Sequence, residues 1–197
     1  WNASLPANSV NATHWYDLIT LIFKKFLYPI TIDPIRKYPV FGENGIKKMY
    51  VYQLTRIKNA SKLVENGIPT LIGEFGIPFD LKAGKAYRKW KNGNRKPSIW
   101  KNHIRALNCM YNAMDELFLN NTLWNYTASN KNDLMIGDGW NQEDLSIYSE
   151  DQKMEGSELD LYGGGGRAIE GFCRPYASAT QGTPVKMLYK LKTGEFV

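Results

Sequence analysis

Glu74 is the residue in this sequence best placed to do chemistry. It follows the short apolar run Leu71-Ile72-Gly73 and lies between Gly73 and Gly76. A carboxylate there leaves a strand end with little steric cover, and Phe75 and Phe79 are positioned to hold it by burial. Position alone also fits a glutamate closing a salt bridge at a strand end. Three other segments bear on the choice. His14-Trp15-Tyr16-Asp17 follows the extended-looking Ser9–Thr13 segment, Trp124 closes a later aromatic, β-branched run, and Asp138-Gly139-Trp140-Asn141 lies in the loop beyond. If the three strands are neighbours in a parallel sheet, these side chains converge on one face. Sugars need hydrogen bonds at their rims and flat apolar surfaces against their C–H faces. Trp supplies the second, and Tyr, His and Asn supply the first.

The elements that must position these groups are partly readable. Ile46, Tyr50, Leu54, Ile57, Ala60 and Val64 recur at helical spacing, and Asn66-Gly67 gives a stop. After Pro69, Thr70–Gly73 reads as a buried strand ending at Glu74. Ser98 is a plausible N-cap for a helix whose face runs Trp100, Ile104, Leu107, Tyr111, Met114 and Phe118, ended by Asn120 and Asn121. Thr122–Thr127 then predicts another strand. Strand–helix alternation implies a parallel sheet with helical crossovers. The long segments 75–97 and 128–163 both follow strand ends, the edge on which (β/α)8 barrels carry their active sites. Gly163–Gly166 follows no strand and lacks the Lys-Ser/Thr of a phosphate loop, so it reads as a flexible turn. Beyond Arg167 the chain becomes turn-rich, and Val185–Leu191 with Thr193-Gly194 resembles the first hairpin of an antiparallel β module.

Composition narrows the classes. The 197 residues are 43% hydrophobic, enough for one packed core. Mean hydropathy is −0.42, and no run nears the roughly 18 apolar residues of a membrane span. No signal peptide is visible and the chain begins with Trp1, so it reads as a segment of a longer protein. Two cysteines, Cys109 and Cys173, make no disulfide framework and read as small buried hydrophobes; with two histidines, a His-rich metal site is excluded and no cofactor is implied. Net charge is +6, concentrated in Lys82–Lys101 around Trp90 and Trp100. That stretch fits a solvated loop leading into a helix better than a nucleic-acid patch, and a transient membrane-surface contact through Tyr87–Trp100 is the functional alternative. Five Asn-X-Ser/Thr sequons, at Asn2, Asn11, Asn59, Asn120 and Asn125, give weak support for a secreted or lysosome/vacuole-like location.

The segments Thr13–Asp17, Leu71–Gly76 and Leu123–Tyr126 resemble glycoside hydrolase family 5 around barrel strands six, seven and eight. Glu74–Asp80 and Gly139–Ser149 look most like its endoglycoceramidase and glucosylceramidase-like branch, and Arg174–Pro184 resembles the passage into its C-terminal β-sandwich. The resemblance implies an α/β fold: residues 1–173 as the C-terminal part of a (β/α)8 TIM barrel, strands six to eight, and residues 174–197 as the start of a β-sandwich. It implies a monomer and a retaining double displacement on a carbohydrate or glycosphingolipid. Glu74 matches the nucleophile, Tyr16 the hydroxyl that keeps it oriented and ionised, His14 the histidine beside it, and Trp124 the platform under the sugar, with Asn125 and Trp140 as further substrate contacts. Such enzymes set their two carboxyl groups about 5–5.5 Å apart. The family's acid/base is a Glu after an Asn at the fourth strand; Asn141-Gln142-Glu143 does not fit that place, so the acid is expected outside this chain. The isolated segment is then expected to be inactive and poorly folded, with open sheet edges. A β-1,4-glucanase or mannanase of the same barrel, and a non-catalytic carbohydrate-binding relative, are the alternatives.

Overall fold

The computed structural model describes residues 5–64, 67–137, 139, 142–157 and 159–197. In chain order the elements are α1 (Leu18–Phe23), β1 (Ile30–Ile32), β2 (Pro39–Phe41), α2 (Gly42–Lys62), β3 (Leu71–Phe75), α3 (Leu81–Lys91), α4 (Lys101–Glu116), β4 (Asn120–Leu123), β5 (Tyr189–Lys190) and β6 (Glu195–Phe196). Single 3₁₀ turns stand at Pro97–Trp100, Glu150–Gln152 and Ile169–Gly171.

Three extended segments run parallel and side by side. Residues 11–15 pair with the chain from Pro69 to Glu74: Asn11 N–H donates to Pro69 O (2.9 Å), Leu71 to Asn11 O (2.8 Å), Gly73 to Thr13 O (3.1 Å) and Trp15 to Glu74 O (2.9 Å). On its other side β3 pairs with β4, Ile72 opposite Asn121 and Phe75 opposite Leu123. Three steps along β3 therefore match two along β4, which is a β-bulge.

Helices α2 and α4 pack on each other and over one face of these strands. Ile46, Met49, Tyr50 and Leu54 of α2, Ile72 and Phe75 of β3, and Leu107, Met110 and Met114 of α4 are sealed from solvent. Burying each such side chain is worth roughly 1.5–3 kcal/mol. Phe75 meets Tyr111 edge-on at 5.0 Å between centroids. The predicted face of α4 is thus real, but its ends differ from expectation. Ser98 caps nothing, because Pro97 starts a 3₁₀ turn that leads into the helix. The helix stops at Glu116, where Phe118 turns left-handed (φ 51°), and Asn120 and Asn121 belong to β4 instead.

The charged stretch 82–91 is not a loop. It is most of α3, whose Lys82, Ala83 and Gly84 are left-handed before the regular turns begin. Ala86, Tyr87 and Trp90 face inward while Lys82, Lys85 and Lys89 face out. The glycine run is a packed turn, not a flexible one: Gly163 and Gly165 are buried, and Gly166 bridges Tyr148. Cys109 is buried, but Cys173, just past the 3₁₀ turn at 169–171, is exposed; both thiols are free. The hairpin expected near the end is present as the antiparallel pair β5–β6.

Candidate active site

The bulge decides where Glu74 points. In a regular strand, residues two apart share a face, so Glu74 would follow Ile72 into the helix-covered core. The extra residue lets Phe75 fill the core instead and turns Glu74 to the opposite face. Neighbouring chains approach β3 closely on both sides. A Cβ on Gly73 would lie 2.8 Å from Ala12 O, and one on Gly76 only 2.3 Å from Trp124 O.

The strand at 11–15 brings two partners to that face. His14 and Tyr16 alternate with Trp15, which is buried and donates its indole N–H to Gln53 Oε1 (3.1 Å). The Tyr16 hydroxyl donates to Glu74 Oε2 at 3.0 Å, and His14 Nδ1 lies 3.2 Å from the same oxygen. Both partners thus hold the same carboxylate oxygen, Oε2. The Glu74 side chain keeps 26% of its surface open, so a ligand can reach it. Burial pushes the Tyr16 hydroxyl well above its ordinary range, and its bond to Glu74 and the charges of Glu74 and Glu143 push the same way. Tyr16 therefore stays protonated and remains a donor. The strand end is anchored one residue on: Asp17 caps α1 and accepts from the Thr20 hydroxyl (2.6 Å) and the Tyr50 hydroxyl (2.7 Å).

Trp124 comes directly after β4. Its N–H donates to Phe75 O at 2.8 Å, it is half-buried, and its peptide bond to Asn125 is cis. Asn125 is clamped by backbone bonds to Leu145 O (3.1 Å) and from Ile147 N–H (2.9 Å). Trp124 and Asn125 thus sit at the end of the strand next to Glu74. The predicted contact Trp140, with Asp138 and Asn141, lies outside the described residues.

The loop after β4 is held down by a buried charge cluster that sequence reading missed. Arg167 is fully buried and makes a two-pronged bond to Asp144, with Nη1 to Oδ2 at 2.8 Å and Nη2 to Oδ1. Asp144 also accepts from the Tyr87 hydroxyl, and its carbonyl accepts from Phe79 N–H (2.6 Å). The guanidinium lies 4.4 Å over the Phe79 ring. This knot ties the segments after β3 and β4 together and brings Glu143, the neighbour of Asp144, close enough for its charge to act on Tyr16. No sequence spacing pointed to Glu143. Among the described residues no group of His, Cys, Asp and Glu side chains is arranged to hold a metal ion.

No family model matches the chain. The sequence is similar, at 31% identity over 96% of the chain, to a glucosylceramidase of Rhizopus delemar, and at 33% over 94% to one of Cryptococcus neoformans. It is 33% identical over 76% of the chain to an ergosteryl-beta-glucosidase of Saccharomyces cerevisiae. The chain spans only 29%, 25% and 20% of the length of these curated relatives. The crystal structure of Cryptococcus neoformans sterylglucosidase 1 superposes with a TM-score of 0.79 at 33% identity, covering 92% of this chain and 27% of that one.

Proposed function

We propose that this chain carries the nucleophile side of a retaining β-glucosidase site whose substrate is a glucosylated lipid, a glucosylceramide or a steryl glucoside. One observation carries the reading: a partly open carboxylate, Glu74, held at a strand end by the Tyr16 hydroxyl and His14. In this mechanism a Glu74 oxygen attacks the anomeric carbon and the bond to the lipid oxygen breaks. That oxygen takes its proton from a carboxylic acid elsewhere in the polypeptide. Water then cleaves the glycosyl ester and frees Glu74. Tyr16 holds the nucleophile's plane, and Trp124 offers an apolar surface to the sugar. In this reading residues 11–15, β3 and β4 are strands six to eight of a (β/α)8 barrel of family 5 type, and residues 174–197 open a β-sandwich. The names of the similar proteins favour a lipid glucoside over cellulose or mannan as substrate.

The test uses the full-length polypeptide. Glu74→Gln is expected to lower turnover of an aryl β-glucoside by roughly three orders of magnitude or more while glucose binding persists. A 2-deoxy-2-fluoro glucoside is expected to label the peptide containing Glu74. Labelling of another carboxylate, or near-normal turnover by the variant, refutes the assignment.

A further inference from the structure

The rim beside Glu74 carries a second feature that hydrolysis does not need. Helix α1 starts two residues after Tyr16, and its Leu18, Ile22 and Phe23 point outward. Its end docks on α3: Lys24 Nζ lies 2.5 Å from Asp80, and Lys82 N–H donates to Lys24 O (2.9 Å). Against Gly84 near the start of α3, the loop after β4 presents Leu134, Met135 and Ile136. Met135 and Ile136 are 74% and 64% exposed. This tip is built, not frayed. The Asp133 carboxylate accepts from Met135 N–H (2.7 Å) and Ile136 N–H (3.1 Å), and Leu134 packs over Gly84.

The start of α3 touches both apolar segments, through the Lys82–Lys24 backbone bond and through Gly84 under Leu134, and its outer face carries lysines. Lys82, Lys85 and Lys89 are exposed there, with no ion pair among the described residues. A cleft of about 170 Å³ opens on this face, lined by Lys82, Lys85, Lys89 and Lys101 with Ser98 and Asn102. The aromatics expected to meet a membrane, Tyr87, Trp90 and Trp100, are buried, so any such contact falls to these aliphatic tips and lysines. Exposed apolar side chains ringed by unpaired lysines are the composition of an interfacial surface: the apolar tips enter the acyl boundary and the lysines meet anionic headgroups. Among the described residues no helix is long and apolar enough to cross a membrane.

We infer that the face formed by α1, the outer side of α3 and the Leu134–Ile136 tip docks on an anionic lipid bilayer, with the lysine cleft taking a phosphate headgroup. The inference rests on the proposed function only for what the docking would achieve, which is to bring a lipid-borne sugar to Glu74. It is tested with the full-length protein by co-sedimentation with phosphatidylcholine vesicles, with and without phosphatidylserine. Binding is expected to require phosphatidylserine and to weaken as salt shortens the reach of charge. The triple variant Lys82→Gln, Lys85→Gln, Lys89→Gln is expected to lose roughly a hundredfold in vesicle affinity, about fivefold per lysine. Met135→Asp with Ile136→Asp is an independent variant at exposed positions and is expected to release the protein as well. Both are expected to keep parent-like hydrolysis of a water-soluble aryl β-glucoside. Equal binding to neutral vesicles, or parent-like sedimentation of either variant, overturns the inference. Failure of the parent to hydrolyse the aryl glucoside sinks the glycosidase reading instead and leaves the sedimentation result standing.

Discussion

Replacing Arg167 by Met separates the role of the buried charge cluster from that of the site it supports. Both members of the pair are out of solvent, with side-chain exposures of 0% and 1%. Arg167→Met leaves the Asp144 carboxylate in that environment with the Tyr87 hydroxyl as its remaining side-chain donor. Breaking one side of a buried pair costs about 3–5 kcal/mol, because the abandoned charge keeps its desolvation penalty. For an unfolding unit of small-domain size, with a urea slope of about 2 kcal/mol per M, that moves the midpoint of the transition that includes this segment down by roughly 2 M. The double variant Arg167→Met, Asp144→Leu removes both charges and is expected to recover most of the loss, a coupling of at least about 3 kcal/mol in a double-mutant cycle. Urea unfolding of the full-length protein followed by tryptophan fluorescence reads all four corners. A single variant within about 1 kcal/mol of the parent, or a double variant equal to the sum of the singles, refutes the claim that this pair pins the loop.

Two individual groups give further expected outcomes. Tyr16→Phe deletes one hydrogen bond to a carboxylate; a transition-state loss of about 1.5–3 kcal/mol lowers kcat/KM roughly 10- to 150-fold, with a stability loss no larger than that one bond; equal kinetics, or a stability loss well above about 3 kcal/mol, contradicts a positioning role. Burial pushes His103 down from its ordinary value to about 3, so the unfolded chain takes up a proton below about pH 6.5 that the folded chain refuses until about pH 3. Its contribution is therefore fully present above pH 6.5 and is lost as pH falls through that window, at up to about 1.4 kcal/mol per unit. His103→Gln is expected to flatten the acid limb of the stability–pH curve, and an unchanged slope refutes this.

How much the sequence revealed depends on how local each signal is. The inward stripe of α4 and the apolar run of β3 are visible because burial on one face imposes a period within a dozen residues. The pairing of His14 and Tyr16 with one carboxylate was implied by the family resemblance alone; in the structure it arises from alternation along an extended segment. Helix α3 was hidden because lysines separate its inward residues and its first turn is left-handed. Helix α1, six residues long, is too short to show a period. Glu143 was hidden for a different reason. It lies in irregular backbone placed by a contact between Asp144 and Arg167, 23 positions apart, and no local pattern encodes that.

The β3 bulge is the feature on which the geometry turns. With two-residue alternation, Glu74 would be forced under α2 and α4, where an unpaired carboxylate costs several kcal/mol and would be driven to its neutral form. The extra residue resolves this, but it makes the end of β3 depend on close backbone contact with Trp124, just past β4. Gly76 is where that dependence can be tested. A methyl group there meets the Trp124 carbonyl at 2.3 Å, and neither atom belongs to a side chain that can rotate away, so one backbone must move. Gly76→Ala is therefore expected to cost about 1–3 kcal/mol and to displace Trp124 relative to Glu74, lowering kcat/KM beyond what the stability loss explains. Substitution at Gly93, where a Cβ meets nothing within 4 Å but φ is left-handed at 84°, is the control: Gly93→Ala is expected to lower stability through backbone strain alone and to leave kcat/KM intact. If the two variants behave alike in the kinetic assay, the contact between Gly76 and Trp124 does not set the position of the nucleophile.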